Sequence, residues 1–202
     1  MKKNKILNII LISLPIIFCV TLLGLIFVNG IRDTDILITK NITENISHST
    51  IEIMKIITTT CTAIAFMLVI VLVILCSNNK FLGVFYLLNM VICYILNFII
   101  KILVSRSRPL EYMLIFEDNY SFPSAHSMLA VAFYGYLAYI AIKYVKNKYL
   151  KVLSVSGCVI LTLLVGISRI FLGVHFTTDV LCGLLFGYIY LLIYIKVIKK
   201  FL

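Results

Sequence analysis

Apolar residues run along this chain in six long blocks, near residues 6–28, 54–76, 81–104, 125–142, 152–172 and 180–196, with short polar stretches between them. Inside each block the apolar positions are nearly continuous, so neither the alternation of a half-exposed strand nor the single stripe of a soluble helix describes them. About 20 apolar residues in helical form cross a hydrocarbon core about 30 Å thick. In lipid every backbone N–H and C=O must find its partner within the spanning structure, and the missing alternation excludes a membrane barrel. The pattern predicts an all-α, polytopic integral membrane protein: six transmembrane helices in one bundle, forming a single membrane domain over residues 1–202, with an amphipathic solvated loop near 29–53. The first block follows Met1-Lys2-Lys3-Asn4-Lys5; it is too long for a signal peptide and lacks a small-x-small cleavage site, so it reads as a retained signal anchor.

Composition supports the membrane reading, and charge adds a direction. The chain of 202 residues is 62% hydrophobic with a mean hydropathy of +1.12. Its net charge of +10 would suit nucleic acid, but the cations sort by side of the membrane instead. Lys2, Lys3 and Lys5, then Lys80, then Lys143, Lys146, Lys148 and Lys151, then Lys196, Lys199 and Lys200 fall on one face. All eight acidic residues, Asp33, Asp35, Glu44, Glu52, Glu111, Glu117, Asp118 and Asp179, fall on the other. Positive loops stay cytoplasmic, so both termini are expected inside the cell membrane, and the partner is the bilayer rather than nucleic acid. The six cysteines form no Cys-x-x-Cys pair and read as packing residues.

Three polar clusters interrupt this frame, and all emerge on the extracytoplasmic face. Lys101 and Arg108 are seven residues apart, which on a continued helix puts them on one face two turns apart, able to grip one phosphoryl group. Arg106 reads as an interfacial anchor. Pro123-Ser124-Ala125-His126 precedes an apolar block: Ser124 suits a helix cap, the first backbone N–H groups suit an anion, and His126 suits proton donation to a leaving alkoxide. Ser168-Arg169 ends the fifth block, with His175 and Asp179 following. A carboxylate accepting one ring N–H fixes the imidazole tautomer and leaves the other nitrogen's lone pair for attack, while Arg169 meets the charge that develops on phosphorus. On the third block Asn89, Cys93, Asn97 and Lys101 recur every four residues and predict inter-helix hydrogen bonds. Gly183 and Gly187 on the last block predict close packing, within the chain or between copies.

Together the clusters resemble the three-part signature of the type-2 phosphatidic acid phosphatase superfamily of membrane lipid phosphatases: Lys-x6-Arg-Pro, Pro-Ser-Gly-His and Ser-Arg-x5-His-x3-Asp. The first part is complete from Lys101 to Pro109, and the third is complete as Ser168, Arg169, His175 and Asp179. The second departs at one position, where Ala125 stands for the usual glycine; the backbone N–H survives, and the added methyl crowds close approach. The resemblance implies hydrolysis of a lipid phosphomonoester, phosphatidylglycerophosphate or phosphatidate, or of undecaprenyl diphosphate, without metal or other cofactor. It implies His175 as nucleophile, Asp179 as its orienter and His126 as the acid on the leaving oxygen. Lys101, Arg108, Ser124, the Ala125 amide and Arg169 would hold the phosphoryl oxygens. Two other classes compete. A transporter needs charges strung along helix interiors, whereas here they gather at helix ends on one face, and a silent lipid-binding protein has no use for the complete His/Asp/His set.

Overall fold

A computed structural model of the chain describes residues 2–28, 30–76 and 79–201, with side chains from Ser13 onward. The side chains of Lys2, Lys3 and Lys5, on which part of the charge asymmetry rests, lie outside the described residues, as does Met1 of the expected signal anchor. The described residues hold no strand. Eight α-helices follow in order: α1 Lys2–Phe27, α2 Arg32–Glu44, α3 His48–Thr59, α4 Ala63–Cys76, α5 Phe81–Val104, α6 Ala125–Tyr144, α7 Lys148–Phe171 and α8 Thr177–Ile198. Helices α5 to α8 are each long and apolar enough to cross a membrane, and the candidate spans number up to six if each of two bent pairs, Ser13–Phe27 of α1 with α2 and α3 with α4, is counted as one. This is the architecture of a multi-pass membrane protein. Side chains such as Ile64, Leu103 and Leu153, each at least 70% exposed, form an apolar outer surface for lipid.

The ends of the helices follow local chemistry. Ser47, Ser124 and Asn147 cap α3, α6 and α7 by accepting bonds from the first free backbone N–H groups, at 3.2, 3.4 and 2.9 Å for the nearest. The expected loop at 29–53 is largely helical. Its polar residues make two short helices, and α2 turns Asp35 and Thr39 into the protein, because a charged partner awaits Asp35 there. The second expected block, at 54–76, is a helix pair broken at Thr60–Thr62 and bent by 44°.

Helix α6 is the centre of the bundle, packed against α5, α7 and α8. The four-residue polar stripe on α5 faces it. The Asn89 amide donates to Ala132 O at 2.7 Å, Tyr86 OH to Phe133 O at 2.8 Å, and the Asn97 amide to Pro123 O at 3.5 Å. Spare carbonyl lone pairs on one helix thus accept from its neighbour, which pins the register of α5 on α6 where lipid offers no competing water. Gly183 and Gly187 of α8 resolve their alternative in favour of packing within the chain. A Cβ on either would stand 2.7 Å from Ser124 O or 2.8 Å from Met128 O, so only glycine lets α8 lie this close to the start of α6. The same contact carries Asp179 to Ser124: the Ser124 N–H donates to Asp179 O at 3.0 Å.

Candidate active site

Three chain segments converge at one end of the bundle. Helix α5 ends at Val104, and Ser105 turns out of it with a left-handed backbone (φ 48°), its N–H donating to Lys101 O at 2.9 Å. Arg108 therefore reaches Lys101's neighbourhood from a loop and not from a continued helix, which corrects the geometry expected from the seven-residue spacing. Helix α7 ends at Phe171, and Gly173 (φ +66°) turns the chain toward α8. A Cβ there would overlap Tyr112 O, so glycine is required on both counts. That turn delivers His175, and Asp179 sits in the first turn of α8, where its Oδ2 accepts the Phe176 N–H at 2.9 Å. The third segment is Ser121 to His126, including a cis Phe122–Pro123 peptide, which leads into α6.

The sequence-predicted residues gather here, nearly all out of water. Lys101, Arg108, Ser124, Arg169, His175 and Asp179 are buried, and Ala125 and His126 are half-buried. His175 Nε2 lies 3.3 Å from Arg108 NH1, while Nδ1 faces Asp179 Oδ2 at 3.6 Å and Ser121 Oγ at 3.5 Å. A guanidinium only donates, so Nε2 is the acceptor and Nδ1 carries the proton toward the carboxylate. Burial pushes the His175 pKa down to about 3, against the opposing pull of Asp179. Its imidazole is thus neutral with one lone pair, the state a nucleophile needs. The His126 ring lies within electrostatic reach of Arg169, His175, Arg108 and Lys101.

The cationic side chains here are held by the surrounding segments. Arg108 is braced by Asn119, through Nε to its carbonyl at 2.6 Å and NH2 to its side-chain oxygen at 2.5 Å, and by Val174 O at 2.6 Å. Lys101 Nζ donates to Tyr120 O, and Arg169 NH1 to Thr58 Oγ1 at 3.0 Å. Arg169 Nε is buried with no hydrogen-bond partner among the described residues, a donor left for something else. Between the two guanidiniums lies the Glu117 carboxylate, paired with Arg169 NH2 and 3.6 Å from Arg108 NH2. Its two oxygens are thus divided between the two guanidiniums, Oε1 on Arg169 and Oε2 toward Arg108. Beside this cluster a cavity of about 880 Å³ opens between α5 and the loop at 107–120; Lys101, Arg108 and Ala125 meet apolar walls from Tyr94, Phe98 and Phe116.

Several residues here lay beyond the sequence reading. Arg106, expected as an interfacial anchor, instead points inward: NH1 donates to Asp179 Oδ1 at 2.6 Å and NH2 to Asp35 Oδ2 at 2.8 Å. In a loop, residues two apart reach the same region, and the Arg106-Ser107-Arg108 spacing was the available signal. Ser121 Oγ donates to Asp179 Oδ2 at 2.5 Å. Ser121, Glu117 and Asp35 carry no local signal, since only their spatial partners give them roles. Ala125 has an ordinary right-handed helical backbone in the first turn of α6, so nothing in its conformation demands the glycine of the wider signature.

An all-helical membrane bundle with a buried His/Asp pair beside clustered cations defines the class of this protein. The chain belongs to the PAP2 superfamily, whose model matches residues 82–202. It is 43% identical over 95 residues to phosphatidylglycerophosphatase B of Bacillus subtilis (strain 168), a stretch covering 46% of this chain and 46% of that relative. The fold is similar to the crystal structure of a transmembrane PAP2-type phosphatidylglycerolphosphate phosphatase from Bacillus subtilis. The TM-score is 0.87 at 28% identity, covering 95% of this chain and 97% of that one.

Proposed function

We propose that this protein is a metal-independent lipid phosphate phosphatase that works through a phosphohistidine. The observation that carries the reading is the placement of buried His175, its Nδ1 side on Asp179 and its Nε2 side on Arg108, beside clustered cations. In the first step the Nε2 lone pair forms a bond to phosphorus as the bond to the lipid oxygen breaks, and His126 gives that oxygen its proton. In the second step water attacks phosphorus, His126 takes the water proton, and inorganic phosphate leaves as the P–N bond breaks. Lys101, Arg108, Arg169, Ser124 and the Ala125 amide stabilise the equatorial oxygens. The carboxylate of Asp179 stabilises the positive charge on the ring.

The substrate is a lipid phosphomonoester, phosphatidylglycerophosphate or phosphatidate, with undecaprenyl diphosphate the alternative. The relatives' names favour the first, and the apolar cavity walls beside Lys101 and Arg108 suit an acyl chain entering from lipid. The protein sits in the cell membrane with six spans, both termini cytoplasmic and the site extracytoplasmic. The test is phosphate release from these three lipids by purified protein in detergent. His175→Ala is expected to reduce the rate by at least about 10³-fold, and a chelator to leave it unchanged. A variant as fast as the parent would remove His175 from the nucleophile's role, and a strict magnesium requirement would overturn the metal-independent mechanism.

A further inference from the structure

Arg106 is a half-buried cation that the phosphate-binding scheme does not use. Its side chain is 12% exposed, and both terminal amino groups are committed to protein: NH1 to Asp179 Oδ1 and to Thr178 Oγ1 at 2.8 Å, NH2 to Asp35 Oδ2. The guanidinium carbon lies 4.4 Å over the centre of the Phe176 ring, which closes one face of the group. Neither amino group shares a hydrogen-bond acceptor with Arg108 or Arg169 among the described residues. The two carboxylates it joins are themselves almost fully buried, Asp35 at 1% and Asp179 at 0% exposure.

Asp35 does more than neutralise Arg106. Its Oδ1 accepts the Thr178 N–H at 3.3 Å and its Oδ2 the Thr178 hydroxyl at 2.5 Å, so α2 is tied to the first turn of α8. The oxygens of Asp179 are divided accordingly. Oδ1 is held by Arg106, while Oδ2 takes Ser121 Oγ and the Phe176 N–H and faces His175 Nδ1. A carboxylate has one soft torsion at its end, and bonds on both oxygens fix it. Removing Arg106 would free that rotation and leave two buried carboxylates without their shared cation.

We propose that Arg106, anchored by Asp35, is a positioning residue that holds the Asp179 carboxylate in the plane in which it orients His175. The proposal rests on His175 being the nucleophile. It ties the site to α2, a helix that lies before the stretch matched by the superfamily.

The test compares Arg106→Gln, Arg106→Lys and the double variant Arg106→Gln/Asp35→Asn with the parent, by lipid phosphate turnover, thermal unfolding in detergent and ¹⁵N NMR of the histidine rings. Arg106→Gln is expected to lower kcat about 100-fold, as misplacement of a reacting group does, with KM within about threefold because no substrate contact is lost. Arg106→Lys keeps the charge but reaches one carboxylate at a time, and should fall between. The double variant removes the unpaired Asp35 charge, so it should regain thermal stability without regaining kcat. In the parent, the His175 ring should carry its proton on Nδ1; in Arg106→Gln the two tautomers should mix. Return of kcat together with stability in the double variant would make the role structural. A raised KM at unchanged kcat would make Arg106 a phosphate ligand, and an unchanged kcat and tautomer would end the proposal. If the parent released no phosphate from any lipid, the functional reading would fail, whereas the tautomer comparison would still decide the positioning role.

Discussion

At the scale of single residues, the site is a balance of buried charges, and Glu117 shows where that balance is poised. Its carboxylate bridges Arg108 and Arg169, the guanidiniums that the proposed mechanism assigns to the phosphoryl oxygens. A phosphate must displace it, so Glu117→Gln is expected to tighten competitive inhibition by inorganic phosphate on the order of 10-fold, about 1.4 kcal/mol. Weaker inhibition in that variant would instead make Glu117 part of the binding geometry. His175 sets a pH dependence of stability. Burial holds its pKa near 3 against an ordinary value of about 6.5, so the unfolded chain takes up this proton well before the folded one. Stability is therefore fully present above about pH 6.5 and declines as the pH falls from there toward 3. Unfolding temperatures measured from pH 7 to 4.5 should drop more steeply for the parent than for His175→Gln; equal slopes would contradict the buried neutral imidazole. Spacing, with the resemblance to the family signature, marked Lys101, Arg108, His126, Arg169, His175 and Asp179 as candidates, because each belongs to a short pattern with a chemical reason. Ser121, Glu117 and Asp35 were illegible because the partners that give them roles lie 52 to 143 positions away, Glu117 meeting Arg169, Ser121 meeting Asp179, and Asp35 meeting Thr178 and Arg106, while Arg106 offered only its two-residue spacing from Arg108.

Among the elements, the contact of α6 with α8 decides whether the site assembles. Gly183 and Gly187 let the first turn of α8 lie against Ser124 and Met128, which holds Asp179 beside the start of α6. Gly187→Val should cost about 1–3 kcal/mol of stability, the usual cost of forcing extra methyl groups into a packed contact. By contrast, Gly157→Ala in α7, where an added Cβ meets nothing within 4 Å, should be close to neutral. Thermal unfolding in detergent of the two variants side by side checks this, and equal losses would mean that the α6–α8 approach is not limiting. The long helices α5 to α8 were readable within a few residues of their ends, since an uninterrupted apolar run has one solution in lipid. The segment at 29–53, expected as a loop, is largely helical. Its polar residues give a weak amphipathic pattern, and what makes α2 helical and inward-facing is a salt bridge from Asp35 to Arg106, 71 residues along the chain.

For the whole molecule, sidedness is the property that joins fold to function. The proposed orientation puts the loop carrying Phe116 outside and the α6–α7 turn carrying Tyr149 inside, with both positions more than 80% exposed. In a background with Cys76 replaced by serine, a membrane-impermeant maleimide applied to intact cells should label Phe116→Cys and spare Tyr149→Cys. The opposite pattern would put the site in the cytoplasm and exclude a substrate presented from the outer leaflet. By itself the sequence determined the membrane class, the helical fold and the motif residues, because hydrophobic length, backbone pairing in lipid and short chemical spacings are all local properties. Only the tertiary structure decided that Arg108 reaches the site from a loop, that Glu117 sits between the arginines, and that Arg106 and Asp35 stand behind Asp179. Those are pairings of buried charges across distant segments, and their partners are chosen by how the helices pack, which no local pattern in the chain records.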